Sequence, residues 1–75
     1  MDQLVTYGGK IITIYKTSVT KKTEVRALKA QLDPLGKWNF DLDDCDKILR
    51  IESEANIETK AIDLLAEYGF ICVEL

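Results

Sequence analysis

Two cysteines and a run of aspartates are the residues of this sequence whose side chains could bind a metal or react. Cys45 lies inside the acidic run of residues 41–46, Cys72 lies near the end of the chain, and there is no histidine. A structural zinc site needs four nitrogen or sulfur ligands, and a Ser-His or Cys-His nucleophile needs an imidazole. Neither can be assembled here. We therefore expect a protein that is not an enzyme and that holds no cofactor.

The acidic run invites comparison with the calcium loop that lies between two helices. Asp41, Asp43 and Glu52 would occupy its positions 1, 3 and 12. Position 6, where glycine makes the sharp turn of such a loop, is Asp46 here, and strand-like segments flank the run. We interpret the run as a hairpin turn whose aspartates hydrogen-bond to their own backbone.

Composition excludes several classes of function. The 75 residues include 13 acidic and 10 basic ones, a formal net charge of −3, whereas binding to nucleic acid requires a basic face. The apolar fraction of 47% is ordinary, and no long apolar run suggests a membrane segment. A small secreted chain would carry more cysteines. We expect a cytoplasmic protein that binds neither nucleic acid nor membrane.

The pattern of apolar residues predicts six elements in the order β-α-β-β-α-β. They are a strand at 11–15, a helix from Thr20 or Lys21 to the stop at Asp33-Pro34, strands at 38–42 and 48–52, a helix at 57–68, and a strand at 70–75. Thr20 and Asn56 are predicted N-caps. Gly69 fits the left-handed position that follows many helices.

This order predicts an α+β fold, a ferredoxin-like βαββαβ sandwich. Its four strands form an antiparallel sheet in the order 4-1-3-2, with both helices on one face, and residues 10–75 form the single domain. Gly8-Gly9 would suit a hairpin turn, but the first strand is central and has both edges occupied in this topology. We therefore expect residues 1–9 to be a loosely ordered extension.

Three segments carry a resemblance to a known family. The segments "VRALKAQL", "NFDLDDCDKILRIE" and "LLAEYGF" resemble the heavy-metal-associated domain of copper chaperones and metal pumps, over roughly residues 10–75. That family binds a soft metal ion between two cysteines after its first strand. With Val25 matched to the family's first apolar helix residue, the cysteine positions fall on Ser18 and Lys21 and the methionine position on Lys16. The resemblance thus implies the fold without the metal site.

The resemblance also implies where a partner would dock. The docking end of the family corresponds here to five residues: Lys16, Ser18, Lys21, Lys22 and Phe70. The lysines beside the first amides of a helix could receive an anion or an acidic protein surface. Cys45, among aspartates, should be a poor nucleophile, and Cys72 should lie too far from it for a disulfide. Metal held by Cys45 or Cys72, between two copies of the chain, remains an alternative.

The sheet face without helices is a second candidate surface. From the alternation of residues along the strands we predict six side chains on this face: Ile11, Thr13, Tyr15, Ile48, Arg50 and Cys72. The RNA-binding modules of this topology stack bases on aromatic residues of the two central strands, which "CDKILRIE" lacks. An apolar face of this kind is typical of a protein contact. We expect self-association through this face or through an edge strand.

Together these features predict a non-catalytic protein-interaction module with the fold of the heavy-metal-associated family. Two alternatives stay open. The first is a divergent heavy-metal-binding domain that uses Cys45 or Cys72. The second is a small-ligand regulatory domain, since other βαββαβ modules bind amino acids between paired copies, although a glycine in the loop after the first strand, which would favour that class, is missing.

Overall fold

The computed structural model describes residues 10–54 and 56–75, together with the backbone of residues 5–7. These residues form five strands and two α-helices. Their bounds are β1 Val5–Tyr7, β2 Lys10–Thr17, α1 Lys22–Leu32, β3 Lys37–Asp41, β4 Ile48–Ser53, α2 Glu58–Glu67 and β5 Cys72–Glu74. A 3₁₀ turn over Asp33–Leu35 joins α1 to β3. No helix within the described residues has the length and apolar character needed to cross a membrane.

All strand pairs of the sheet are antiparallel. β2 is central and pairs along one side with β4, which in turn pairs with β3. Along its other side β2 pairs with β5 near its end. Without β1, the order of the strands across the sheet is β3-β4-β2-β5. If these four strands are numbered 1 to 4 along the chain, the order is 2-3-1-4, which is the predicted order 4-1-3-2 read from the opposite edge. The α+β class is confirmed, and the arrangement is compatible with a ferredoxin-like fold.

The sheet has a fifth strand that the sequence did not predict. The backbone of Val5–Tyr7 pairs with residues 10–12 of β2, with Tyr7 opposite Lys10. β5 covers only residues 15–17 of the same edge. The prediction that no edge of the central strand remains free is therefore wrong. β2 is long enough for β1 to pair with its first residues and for β5 to pair with its last residues along the same edge. The rest of the predicted extension, residues 1–4, 8 and 9, lies outside the described residues.

The predicted assignment of faces is wrong for β2 and β5. Thr13, Tyr15 and Cys72 were placed on the open face but are buried beneath the helices. The polar atoms of β2 find partners there: the Tyr15 hydroxyl donates to the carbonyl of Glu58 at 3.1 Å, and Thr17 Oγ1 donates to the carbonyl of Lys47 at 2.7 Å. Because these buried groups are hydrogen-bonded, their burial costs little.

The core lies between the sheet and the two helices. α1 contributes Leu28 and Leu32, and α2 contributes Ala61 and Leu65. These side chains form one cluster with the inward residues of the strands and adjoining loops: Tyr15, Val19, Leu49, Ile51, Ile57 and Cys72. Both helices therefore cover the same face of the sheet, and no element of the described residues covers the other, open face.

The start of α1 differs from the prediction. Thr20 does not accept a hydrogen bond as N-cap; Lys21 is the N-cap residue. The Glu24 carboxylate instead accepts from the backbone N–H groups of Thr20 at 2.9 Å and Lys21 at 3.1 Å. These hydrogen bonds, first the one from Thr20, lower the pKa of Glu24. The carboxylate also suits the positive end of the helix dipole.

The ends of α2 follow the prediction more closely. Asn56 Oδ1 accepts the backbone N–H of Glu58 at 3.0 Å, although Ile57 occupies the cap position itself. At the other end Gly69 has φ of +86°, Gly69 N–H donates to Ala66, and Phe70 N–H donates to Leu65. These two bonds make a Schellman motif. This motif fixes the direction in which the chain enters β5.

Candidate interaction surface

Thr17 joins the end of β2 to the β3–β4 hairpin loop. Its backbone N–H lies 3.2 Å from the carbonyls of both Asp46 and Lys47. Its hydroxyl donates to Lys47 and accepts the backbone N–H of Val19 at 3.2 Å. Lys47 has φ of +50°, and its ammonium donates to the carbonyl of Leu42. The loops that follow β2 and β3 are therefore neighbours at this end of the sheet.

Ser18 joins β2 to the start of β5. Its backbone N–H donates to the carbonyl of Ile71 at 3.0 Å, and its hydroxyl accepts the backbone N–H of Ile71 at 2.8 Å. Ser18 is one of the residues predicted at the docking surface, and it stands at a cysteine position of the resembled family. In this structure its hydroxyl holds two segments of the chain together.

The other predicted interaction residues do not form one cluster. Lys16 extends from β2 and forms an ion pair with Asp46 at 3.7 Å. Lys21 and Lys22 are exposed at the start of α1. Phe70 is half-buried and packs against the core.

The soft-metal site of the resembled family does not fit the residues in this loop. The positions of its two cysteines are taken by a hydroxyl, which is already engaged with Ile71, and by the exposed ammonium of Lys21. Soft metals such as Cu(I) select thiolate and thioether ligands. Neither side chain supplies one.

The hairpin loop places three potential ligands together. The ligand atoms of Asp44, Cys45 and Asp46 lie within 4.8 Å of one another. The backbone N–H of Asp46 donates to Asp44 Oδ1 at 2.8 Å, and that of Asp43 donates to Asp41 Oδ1 at 3.2 Å. These bonds are the predicted aspartate turns. The proximity of the three ligands thus follows from the geometry of the turn.

The two thiols have opposite environments. Cys45 is exposed, whereas Cys72 is buried, and both are free. Burial raises the pKa of the Cys72 thiol to about 11, so at neutral pH it is protonated. The thiolate is the nucleophile and the metal ligand, and Cys72 is therefore unreactive in the folded chain.

We predict that iodoacetamide at neutral pH adds one carbamidomethyl group to the native protein, at Cys45. Cys72 should react only after unfolding, because its thiol is both buried and protonated. Intact-mass analysis with and without guanidinium measures this directly, and Cys45→Ser should leave the native protein unlabelled. Labelling of native Cys72 at the rate of Cys45 would contradict its burial.

The most exposed large apolar side chains of the described residues belong to the last segment of the chain. Ile71, Val73 and Leu75 are 66%, 52% and 66% exposed. Val73 pairs with Lys16 in the sheet, and Leu75 N–H donates to the carbonyl of Ile14. Since alternate residues of a strand share a face, all three lie on the open face. We call them the β5 row.

The open face has a mainly apolar half and a mainly polar half. Beside the β5 row, β2 presents the half-buried Ile12 and Ile14 and the exposed Lys16. On the other half, β4 presents Arg50, Glu52 and the half-buried Ile48, and β3 presents Lys37, Asn39 and Asp41. The apolar half therefore lies along the edge formed by β5.

The β5 row was not predicted from the sequence, because Cys72 was expected to point outward. One signal in the sequence indicates the correct face. In a Schellman motif the residue after the glycine packs back against the helix. Phe70 follows Gly69 and packs against the core, so Cys72 points inward and Val73 points outward.

Two other features complete the described surface. An open groove of about 550 Å³ lies between α1 and β3, and its walls include Lys22, Arg26, Trp38 and Phe40. On the helix side of β5, the carboxyl group of Glu74 lies near that of Glu58. Burial first, and then Glu58, raise the pKa of Glu74.

Comparison with family models, with curated proteins and with solved structures gave no match to this chain. The case for a function therefore depends on the residues and their geometry.

Proposed function

We propose that this chain is a small, non-catalytic protein-interaction module, similar to the heavy-metal-associated domain but without its metal site. The observation that carries the proposal is the β5 row. Three large apolar side chains, each more than half exposed, stand on one face of an edge strand and continue the apolar half of the open face. Contiguous exposed apolar surface of this kind is typical of a protein contact.

The polar surroundings of the row support the same proposal. A shallow pocket brings Lys16, Thr17 and Ser18 next to Ile71 and Val73. An apolar centre with a polar rim is the usual anatomy of a protein interface. Two of the predicted interaction residues, Lys16 and Ser18, thus border the row. Lys21 and Lys22 extend from the start of α1 and would contribute to encounter through their charge.

A capture experiment tests this proposal. The tagged chain is immobilised and incubated with extract of the cells that naturally produce it. Bound proteins are then quantified for the wild type, for Val73→Lys and for Ala66→Lys. Val73→Lys puts a charge in the row, whereas Ala66→Lys adds the same charge on the exposed surface of α2. We expect a specific protein, a copy of this chain included, to be retained by the wild type and Ala66→Lys and lost with Val73→Lys.

The control for this experiment is the fold of each variant, measured by circular dichroism and thermal unfolding. Both substitutions are at exposed positions, where effects on stability are usually within about 0.5 kcal/mol. Equal retention of every bound protein by the folded Val73→Lys variant would show that the row is not the interaction surface.

The alternative of a metal-binding domain has one observation in its favour, the proximity of Asp44, Cys45 and Asp46. We expect the reduced protein to take up no stoichiometric Cu(I) in native mass spectrometry, because this group offers only one thiol and Cys72 is buried. A one-to-one complex that Cys45→Ser abolishes would contradict this expectation and would favour metal binding. Asp43→Asn is the matched control in the same loop.

A further inference from the structure

Within the part of the chain that the structure describes, one edge of the β5 backbone is available for pairing. Ser18 N–H donates to the carbonyl of Ile71, and Leu75 N–H donates to the carbonyl of Ile14. The backbone groups of residues 71, 73 and 75 therefore point towards β2, since these directions alternate along a strand. Those of Cys72 and Glu74 point away from the sheet. Among the described residues, β5 pairs only with β2.

The residues of this edge are complementary to themselves. If two copies of β5 run antiparallel with Val73 opposite Val73, then Ile71 faces Leu75 of the other copy on the open face. On the helix face, Cys72 faces Glu74 of the other copy. No charged residue stands directly opposite a like charge, and the three apolar residues of each row meet those of the other.

We propose that the partner of the β5 row is a second copy of this chain, bound edge to edge through antiparallel β5–β5 pairing about a two-fold axis at Val73. The inference rests on the proposed function, since it names the occupant of the same surface. The backbone of Cys72 exchanges hydrogen bonds with the backbone of Glu74 in the other copy, and the backbone of Glu74 does so with Cys72. The two sheets become one continuous sheet, an isologous arrangement of the kind that closes as a dimer.

The opposite edge of the sheet is less suited to pairing. β3 presents the charged side chains of Lys37 and Asp41 on its open face, and charged residues are a common protection of edge strands. The open-face residues of β5 carry no charge. The one charged residue of β5, Glu74, lies on the helix face, so the open-face side of this edge is free to pair with another strand through its apolar residues.

The geometry sets the strength of the pairing and identifies a residue that opposes it. A three-residue strand and one row of side chains make a small interface, so we expect a dissociation constant between about 10 μM and 1 mM. Glu74 of the two copies would be diagonal neighbours, roughly 7–8 Å apart. Their repulsion weakens the dimer, and Glu74→Gln should strengthen it.

Cysteine cross-linking tests the register. In the background Cys45→Ser with Cys72→Ala, single cysteines are placed at Val73, at Ile71 and at Asn39. Val73 lies at a pair without hydrogen bonds, where the Cα atoms of opposite residues are about 4.5 Å apart, within the range of a disulfide. We expect Val73→Cys to form a disulfide-linked dimer readily under mild oxidation. Ile71→Cys faces Leu75 rather than itself, and Asn39→Cys lies on β3, so neither should cross-link efficiently.

Sedimentation velocity of the wild type, the cysteine background and the folded variants Val73→Lys and Glu74→Gln completes the test. The wild type and the background should shift from monomer to dimer as concentration rises to about 500 μM, the range in which such a weak interface is populated. Val73→Lys should stay monomeric, and Glu74→Gln should shift at lower concentration. Efficient cross-linking of Ile71→Cys or Asn39→Cys, or dimers of Val73→Lys, would overturn the register.

The two proposals fail in different ways. A wild type that stays monomeric throughout, while the capture experiment retains another protein through Val73, would overturn the dimer and leave the interaction function standing. A monomeric chain that retains no protein through Val73 would overturn both.

Discussion

Replacing Gly36 with alanine is expected to destabilise the fold by about 3 kcal/mol or more. Gly36 follows the 3₁₀ turn with φ of +143° and ψ of −158°, a region open almost only to glycine. A β-carbon at this position would also overlap the backbone carbonyl of Glu52 on β4. The backbone of a paired strand cannot shift without breaking its hydrogen bonds. The free-energy cost of the strained backbone and that of the steric overlap are therefore both expected.

Gly69→Ala is the matched control for this prediction. Gly69 also has a positive φ, +86°, but no atom lies within 4 Å of the β-carbon that alanine would add. Only the conformational cost applies there, roughly 1 kcal/mol. Thermal and urea unfolding of both variants should show a much lower midpoint for Gly36→Ala. Equal midpoints would contradict the close approach of residue 36 to β4.

Thr17→Val is expected to destabilise the fold by about 2 kcal/mol, with a fall in melting temperature of roughly 8–16 °C. Valine keeps the shape of threonine and removes its hydroxyl. The carbonyl of Lys47 then loses the hydroxyl donor at 2.7 Å and keeps the Thr17 backbone N–H at 3.2 Å, whereas the N–H of Val19 loses its acceptor at 3.2 Å. Thr17 is buried, so the penalty for these groups is not relieved by water.

The same substitution at Thr59 is the control, because Thr59 is exposed on α2. It should change the melting temperature little. In hydrogen exchange, Thr17→Val should also increase the exchange rate of amides in the hairpin loop, around Lys47. Stability equal to that of Thr59→Val would show that Thr17 does not hold the loops together.

The order of the elements could be predicted from the sequence because the local signals agreed. The apolar spacing of Val25, Leu28 and Leu32 is helical, and these residues are indeed on α1. Gly69 terminates α2 with the expected positive φ. Each of these signals depends on residues that are close together in the chain. Local patterns of this kind are the most reliable part of sequence interpretation.

The face of β2 could not be predicted by alternation. In "KIITIYKT" both alternating sets are rich in β-branched or aromatic residues, so the period of two does not distinguish them. The structure buries Thr13, Tyr15 and Thr17 and leaves Ile12 and Ile14 half-buried. What decides the outcome is the position of acceptors from other parts of the chain, such as the carbonyl of Lys47. Such contacts are not visible in a local pattern.

The candidate surface could be predicted only in part. Lys16 and Ser18 do border the apolar row, although the Ser18 hydroxyl binds Ile71 within the chain. The row itself depends on the direction of one strand after a Schellman motif. The prediction placed Cys72 on the open face and so assigned Val73 to the buried face. The structure has the opposite arrangement, with Cys72 buried and Val73 exposed.

The inward position of Cys72 also changes what this cysteine can do. A Cys72 on the open face would have been available to a metal or to a partner. Buried and with a raised pKa, it is instead part of the core. The exposed apolar residues beside it, rather than a reactive group, are what this strand presents to its surroundings.

The measurement that most directly tests the β5 row as a protein interface is photo-cross-linking from within it. A benzophenone amino acid is introduced at Val73 in one variant and at the exposed Ala66 in another, and each folded variant is irradiated in extract of the cells that produce the chain. The account predicts a discrete covalent adduct from position 73, with a second copy or with another protein, and none from position 66. No adduct from position 73, or the same adducts from both positions, would contradict it.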